Sequence, residues 1–493
     1  MTLNDSDIAI IALYLFLVFI IAWSADTYVQ KHRKRGLNAG LSPIESHYLA
    51  GRTITFPEAL LSMIATEFSA IAFLAIPAYV YFGNLTAIAF LIGTCCSRFL
   101  IAQFLLPKLY GRGTTIFEIL ARGDNPASSP MSGTARQGQK IFSMLYIVTS
   151  SVGVGVRLLG GSVLISQFLG TPLFFTIFVI AMFTYVYVAI GGLKAVVRTD
   201  MVQAGIFIFG GIMAHVVIAN VSDASWREMF HYGAIHGKLV ILHHNEIWTF
   251  VLGIIAGIAH DAATHGLDQE FAQKLLGAKN LSTARSAVMW SALGTVAVYA
   301  LFLSLGVILW SFYNMQGMPV PASDLLFSNV IINYFPSPLR GLMVASILAA
   351  CMSTLDSAIN ALSSCWWNDF MPVKKTKSIR LYITLDNLII TLAIVLIAYM
   401  FSFSTSFANI GLFFGSLCLA PMLALFVHRM FLWSKDSSNY TPFTIVSIVA
   451  LGACAMAICA YYFHLSPQHT TLTGLLTAFA LVHLYPKFNT LDR

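Results

Sequence analysis

A carboxylate and several hydroxyl groups lie close together in residues 345–365, ASILAACMSTLDSAINALSSC, which are otherwise apolar. Residues three and four apart share one face of a helix. A helix here therefore carries one polar stripe, with Thr354 at its edge: Ser353, Asp356, Ser357, Asn360 and Ser364. Hydroxyl and carboxylate oxygens suit a small hard cation. Small hydroxyl residues also let helices pack closely, but a carboxylate in a membrane helix needs a partner or a function. Asp356 therefore favours an ion site or a water-lined path.

A second polar group lies in residues 60–82, LLSMIATEFSAIAFLAIPAYVYF. Glu67 is flanked there by Thr66 and Ser69, and Pro77 follows. A carboxylate, small polar residues and a proline are typical of an interrupted helix, whose freed backbone carbonyls can coordinate a cation where they line a cavity. A structural ion pair explains Glu67 equally well.

Arg157, within SSVGVGVRLLGGS, is the arginine that we interpret as the partner of Glu67. Its planar guanidinium also suits bidentate binding of a substrate carboxylate. Pairing with Glu67 and binding of a carboxylate both stay open, with a slight preference for the second, because the surrounding glycines leave room for a ligand.

A further interruption is predicted in residues 253–271, GIIAGIAHDAATHGLDQEF, where glycines accompany His260, Asp261, His265 and Asp268. The alternative is that these polar residues mark the end of a helix. Corresponding interruptions in two halves of a chain indicate a transporter built from inverted repeats, with its binding site near the middle of the membrane.

Composition places these residues in a membrane protein. Of the 493 residues, 58% are hydrophobic and 10% are charged, whereas soluble domains carry about 25% charged residues. The net charge of +7 is scattered over short loops without a basic face, which argues against a nucleic-acid partner.

No paired catalytic carboxylates, nucleophile elbow or metal motif indicates an enzyme. The seven cysteines are interpreted as packing residues, and the histidines at 231, 236, 243 and 244 as a solvated loop.

About 13 apolar runs are long enough to form transmembrane helices. They are residues 8–28, 57–82, 85–109, 141–170, 172–193, 200–220, 246–266, 284–313, 338–366, 379–401, 404–429, 443–463 and 469–486. One set of connections holds 23 basic residues and the opposite set holds three. This bias predicts a multi-pass protein of the plasma (inner) membrane, with its N-terminus outside and its C-terminus in the cytoplasm.

Four motifs, in order along the chain, resemble the sodium:solute symporter family. They are YLAGRTITFPEALLSMIAT at 48–66, GGLKAVVRTDMVQ at 191–203, the looser match HGLDQEFAQKLLGAKN at 265–280, and LRGLMVASILAACMSTLDSAINALSS at 339–364. The resemblance implies an all-α polytopic membrane protein with LeuT-type inverted five-helix repeats. The repeats would be residues 46–222 and 223–430, with peripheral segments 1–45 and 431–493.

The resemblance also implies a sodium site between the interrupted helix and the polar stripe. Its ligands would be the backbone carbonyls of Ala65, Phe68 and Ala350 and the hydroxyls of Ser353 and Thr354. Some members hold a second sodium, whose matching residues here are Asp200, Asp356 and Ser357, with Ser353 shared.

The substrate would lie near Glu67, Ser69, Ala72, Arg157 and Asp268. Ala72 stands where sugar- and sialate-binding members carry polar residues, which speaks against those substrates. The implied function is sodium-coupled import of a small polar organic solute, with a carboxylate slightly favoured. The solute and the lipid bilayer are the expected partners. The alternatives are a proton-coupled symporter, using Glu67 or Asp356, and a transporter-like membrane sensor.

Overall fold

The computed structural model describes residues 3–34, 43–122, 131–242, 247–319, 326–371, 379–404, 414, 417–428, 442–462 and 467–489. Loop histidines 243 and 244 lie outside these residues. The helices, in chain order, are α1 Asp5–Lys34, α2 Pro43–Tyr48, α3 Phe56–Glu67, α4 Ala70–Phe82, α5 Ile88–Leu100, α6 Leu106–Leu109, α7 Ile116–Arg122, α8 Gly133–Leu169, α9 Leu173–Val221, α10 Trp226–Ile235, α11 Ile247–Leu267, α12 Gln269–Leu276, α13 Leu281–Met315, α14 Leu326–Tyr334, α15 Leu339–Phe370, α16 Ile379–Phe401, α17 Leu419–Val427, α18 Pro442–Tyr462 and α19 Pro467–Asn489.

Among the described residues, nine helices are long and apolar enough to cross a membrane, or ten when α3 and α4 are counted as one bent span. The predicted number of about 13 is therefore not confirmed. Two predicted spans, 172–193 and 200–220, lie in the continuous segment α9, which consists of two helices joined by a kink at Gly192. The predicted span 404–429 is described only in part, and it includes α17.

The bend in α9 depends on a residue without a side chain. Gly192 has φ 55° and ψ −150°, a left-handed conformation that glycine adopts without steric cost. A Cβ atom there would also lie 2.7 Å from the carbonyl oxygen of His47. The second glycine of the GGLKAVVRTDMVQ motif therefore redirects α9 and lets α2 pack against it.

The predicted interruption after Glu67 is confirmed. Thr55 and Glu58 form a capping box at the start of α3, with Thr55 N donating to Glu58 Oε2 at 2.8 Å. Phe68 is extended, with φ −93° and ψ 95°, and Ser69 caps α4 by accepting a hydrogen bond from Ala72 N at 3.4 Å. The axes of α3 and α4 differ by 63°.

The second interruption was predicted too broadly. Helix α11 continues through His260, Asp261 and His265 and ends at Leu267. Asp268 is the residue that separates α11 from α12. Its side chain caps α12 by accepting a hydrogen bond from Glu270 N at 2.9 Å. The other polar side chains stay inside a helix because they hydrogen-bond to neighbouring helices and to each other.

Helix α15 forms the centre of the molecule. It packs against α1, α8, α9 and the two halves of the broken helix, and every residue from Met343 to Cys365 is buried. Its polar stripe is therefore surrounded by protein, which supplies hydrogen-bond partners that lipid could not.

Candidate functional site

The polar stripe of α15 faces the end of α3. Every residue of the stripe is at most 2% exposed. The Thr66 and Ser357 hydroxyls are 3.1 Å apart, and Thr354 donates to the carbonyl of Ala350 at 3.1 Å. The structure thus places the polar stripe opposite the break in the helix, as predicted.

The residues predicted to hold the first sodium are all buried in this region. Ala65 lies in the last turn of α3 and Phe68 in the break, while Ala350, Ser353 and Thr354 lie on α15. The end of a helix leaves carbonyl groups without intrahelical partners. The oxygen atoms that these five residues would offer are neutral carbonyls and hydroxyls. Such a set of ligands fits a monovalent hard cation.

Asp200 joins α9 to the same region. Its Oδ1 accepts a hydrogen bond from Ser353 at 2.5 Å, and its Oδ2 accepts one from Ser62. The ammonium of Lys274, on α12, also donates to Asp200 Oδ2 at 3.1 Å. Sequence reasoning placed Asp200 here but missed Lys274, because a lysine in a short connecting helix gives no sign of burial.

Asp356 is held by hydroxyl groups. Its Oδ2 accepts hydrogen bonds from Tyr187 at 2.6 Å and from Thr199 at 3.4 Å, and its Oδ1 accepts one from Ser357 at 3.3 Å. Asp356 and its partners are buried. The adjacent residues Thr199 and Asp200 on α9 are therefore hydrogen-bonded to α15. Thr199 contacts Asp356, and Asp200 contacts Ser353 about one turn earlier.

Glu67 pairs with a different arginine from the one predicted. Arg98 Nη2 lies 2.5 Å from Glu67 Oε2, and Arg98 Nε lies 3.4 Å from Asp261 Oδ1. His265 contacts both Asp261 and Arg98, each at 2.9 Å. The interpretation of Arg157 as the partner of Glu67 was wrong. Arg98 and Arg157 both lie within predicted spans, and spacing alone could not choose between them.

Arg157 instead lies near α12. Its Nη1 is 3.8 Å from Glu270 Oε2, and its side chain is 25% exposed. Glu270 is buried, and neither carboxylate oxygen has a hydrogen-bond partner among the described residues. Burial, followed by the nearby Asp268 carboxylate, raises the pKa of Glu270 to about 8, although Arg157 and Lys274 oppose this shift.

When Glu270 is protonated, Arg157 has no ionised carboxylate within 4 Å among the described residues. Arg157 Nε makes one contact with its own helix, with Gly153 O at 3.4 Å. Asp268, by contrast, accepts a hydrogen bond from Tyr146 at 2.6 Å and caps α12. The guanidinium of Arg157 therefore keeps N–H donors that a bound ligand can use, whereas the Asp268 carboxylate is held by structural hydrogen bonds. Ser69 and Ala72 lie at the start of α4.

Comparison with known proteins agrees with this architecture. The model of the sodium:solute symporter family matches residues 47–439. Sodium-coupled monocarboxylate transporter 2 of Mus musculus is 26% identical over 338 residues, which are 66% of this chain and 52% of that protein. Sodium/myo-inositol cotransporter 2 of Sus scrofa is 24% identical over 410 residues, which are 75% of this chain and 58% of that protein. The chain thus spans about half the length of these curated relatives.

A solved structure shows the same fold. The structure of a Na+-coupled sialic acid symporter, in a substrate-bound outward-open state, superposes with a TM-score of 0.81, covers 97% of each chain and is 18% identical. The predicted all-helical LeuT-type fold is confirmed. The division into two inverted repeats stays a prediction.

Proposed function

The chain belongs to the sodium:solute symporter family, and we propose that it imports a small carboxylate-bearing organic solute together with sodium by alternating access. Proteins of this family are sodium-coupled transporters and not enzymes, and this chain is an integral multi-pass membrane protein. The orientation with the N-terminus outside stays a prediction.

The observation that carries the proposal is the buried oxygen cluster between α15 and the broken helix. Ser353 and Thr354 lie on a helix that packs against both α3 and α4. A site built from two elements that meet at a break changes shape when either element moves. Sodium bound there would couple the movement of the helices to the occupation of the site.

The energetics of one sodium ion are sufficient for concentrative uptake. A membrane potential of ~100 mV contributes ~2.3 kcal/mol per charge, and a tenfold sodium gradient adds ~1.4 kcal/mol. Together they sustain roughly 500-fold accumulation of a neutral solute. For a monoanion carried with one sodium, the potential term vanishes and only the gradient remains.

The preference for a carboxylate rests on Arg157. Its side chain is 25% exposed, and burial raises the pKa of the neighbouring Glu270 to about 8. A substrate carboxylate could then make charge-assisted hydrogen bonds with Arg157. The monocarboxylate transporters among the relatives agree with this substrate class, whereas the inositol cotransporters offer the competing polyol class.

Uptake into proteoliposomes tests the proposal. Purified protein is supplied with radiolabelled short carboxylates, inositol, glucose and sialic acid, with an inward gradient of sodium or of potassium at fixed pH. We expect accumulation of a carboxylate with sodium only. A second set of vesicles carries an inward proton gradient in sodium-free potassium buffer, and uptake there would favour the proton-coupled alternative. A solute that raises the melting temperature but is never accumulated would favour the sensor.

A further inference from the structure

The amino group of Lys274 is a fully buried cation next to the stripe. It donates to Asp200 Oδ2 at 3.1 Å, to the carbonyl of Ser62 at 3.2 Å and to the hydroxyl of Thr66. An ammonium group has three donors, so all three are used. The cation bound to the Asp200 carboxylate is therefore the ammonium of Lys274, a side chain of the protein itself.

We infer that the Lys274 ammonium replaces a second sodium ion at Asp200, so that this symporter binds one sodium per cycle. The inference rests on the proposed sodium-coupled function and adds the ion count to it. It also disagrees with the second sodium predicted at Asp200, Asp356 and Ser357.

The first argument is competition for the same oxygen atoms. Asp200 Oδ2 already accepts from Lys274 and Ser62, and Oδ1 accepts from Ser353. A sodium ion bound to Asp200 would lie beside the ammonium, and two like charges at buried positions repel strongly. The residues around Asp200 thus do not fit a second sodium while Lys274 stays in place.

The second argument is the charge of the buried cluster. When both carboxylates are ionised, Asp200 and Asp356 contribute two negative charges and Lys274 contributes one positive charge. Asp356 is bonded to the hydroxyls of Tyr187, Thr199 and Ser357, and no cation contacts it in the part of the chain that the structure describes. In that state the cluster carries one net negative charge, which one sodium ion at the Ser353–Thr354 site neutralises. Buried charges are costly unless they are balanced.

Counting bound sodium tests the inference without a substrate. Radioactive sodium bound per polypeptide is measured at saturation on the purified full chain. Melting temperature is titrated in parallel with sodium chloride against choline chloride at constant ionic strength. We expect one sodium in the wild type and two in Lys274→Gln, because this variant leaves two negative charges to neutralise. Two ions in the wild type, or one ion in a folded Lys274→Gln variant, would overturn the inference.

A matched control uses another buried lysine. Lys194 Nζ lies 2.8 Å from Glu58 Oε2, and its side chain is 1% exposed, but it pairs with the start of α3 and not with the stripe. Lys194→Gln should lose stability and still bind one sodium. A second ion in this variant as well would mean that the added site does not report on Asp200, and would overturn the inference.

The double variant Asp200→Asn with Lys274→Gln covers the case in which Lys274→Gln does not fold. Removing both charges restores one net negative charge, so we expect it to fold and to bind one sodium with an affinity within about threefold of the wild type. If Asp200 held a sodium ion in the wild type, the double variant would bind one ion fewer than the wild type does. A wild type that binds no sodium at all would instead reject the proposed function.

Discussion

The Glu67 carboxylate, one residue before the break in the helix, lies 2.5 Å from Arg98 Nη2 on α5. Arg98 is fully buried and also contacts Asp261. We expect Arg98→Gln to lower the free energy of unfolding by about 3–5 kcal/mol, because the buried Asp261 and the Glu67 side chain, which is only 12% exposed, lose their counter-charge. Thermal unfolding in detergent measures this loss.

Arg157→Gln is the matched control for that variant. Arg157 is partly exposed, and its nearest carboxylate, that of Glu270, is 3.8 Å away. We expect a loss below about 1 kcal/mol, because the contact is long and the Arg157 side chain is partly solvated. Equal losses in the two arginine variants would contradict the assignment of Arg98 as the partner of Glu67.

The hydroxyls of Ser353 and Thr354 are expected to set sodium affinity. Ser353→Ala and Thr354→Ala should each raise the sodium concentration needed for half-maximal stabilisation about tenfold, which corresponds to ~1.4 kcal/mol for one lost ligand. Expression should stay normal. The measurement is the sodium-dependent rise in melting temperature.

Ser346→Ala provides the comparison on the same helix. Its hydroxyl donates to the carbonyls of Ile206 and Leu342 at 3.0 Å and 2.9 Å, away from the break. This variant should keep the wild-type sodium response. Unchanged sodium affinity in Ser353→Ala and Thr354→Ala would remove both residues from the site.

Periodicity predicted the elements of the site well, because a stripe of hydroxyls on an apolar helix can only be stable when other helices cover it. The break after Glu67 could also be predicted, since it depends on local residues such as Ser69. The cations that pair with the carboxylates of the site could not be predicted. Arg98 and Lys274 reach their carboxylates from distant parts of the chain, and no spacing rule relates Arg98 to Glu67 or Lys274 to Asp200. Tertiary packing alone brings them together.

The bend of α9 at Gly192 should not tolerate a side chain. Gly192→Ala combines a left-handed conformation, strained for alanine, with a clash against the carbonyl of His47 at 2.7 Å. We expect the free energy of unfolding to fall by at least ~2 kcal/mol. Gly205→Ala on the same helix meets no atom within 4 Å and should be neutral or slightly stabilising. Similar melting temperatures for the two variants would contradict the role of Gly192.

Arg157 is expected to control substrate affinity and not sodium affinity. In Arg157→Gln, the KM of a transported carboxylate should rise about 10- to 100-fold, since a hydrogen bond to a charged group is worth ~1.5–3 kcal/mol. Arg157→Lys should recover only part of this loss, because an ammonium cannot bind a carboxylate through two parallel hydrogen bonds. Unchanged KM in Arg157→Gln would place the carboxylate elsewhere.

The buried Glu270 predicts how stability depends on pH. Its pKa is raised from 4.5 to about 8, mainly by burial and next by Asp268, against the opposing charges of Arg157 and Lys274. A group with a raised folded-state pKa contributes stability that is complete below its unfolded pKa and is lost as the pH rises through the folded pKa. The melting temperature of the wild type should therefore fall as the pH rises from about 4.5 through about 8.

Glu270→Gln isolates this effect, because an amide keeps the shape of the side chain and cannot ionise. The variant should keep more of its stability above pH 8 than the wild type does. Ionised Glu270 would also compete with a substrate carboxylate for Arg157, whose Nη1 lies 3.8 Å from Glu270 Oε2. Carboxylate binding should thus weaken in alkaline solution in the wild type and not in Glu270→Gln. Identical pH profiles of melting temperature and of carboxylate binding in the two proteins would show that Glu270 stays in one protonation state.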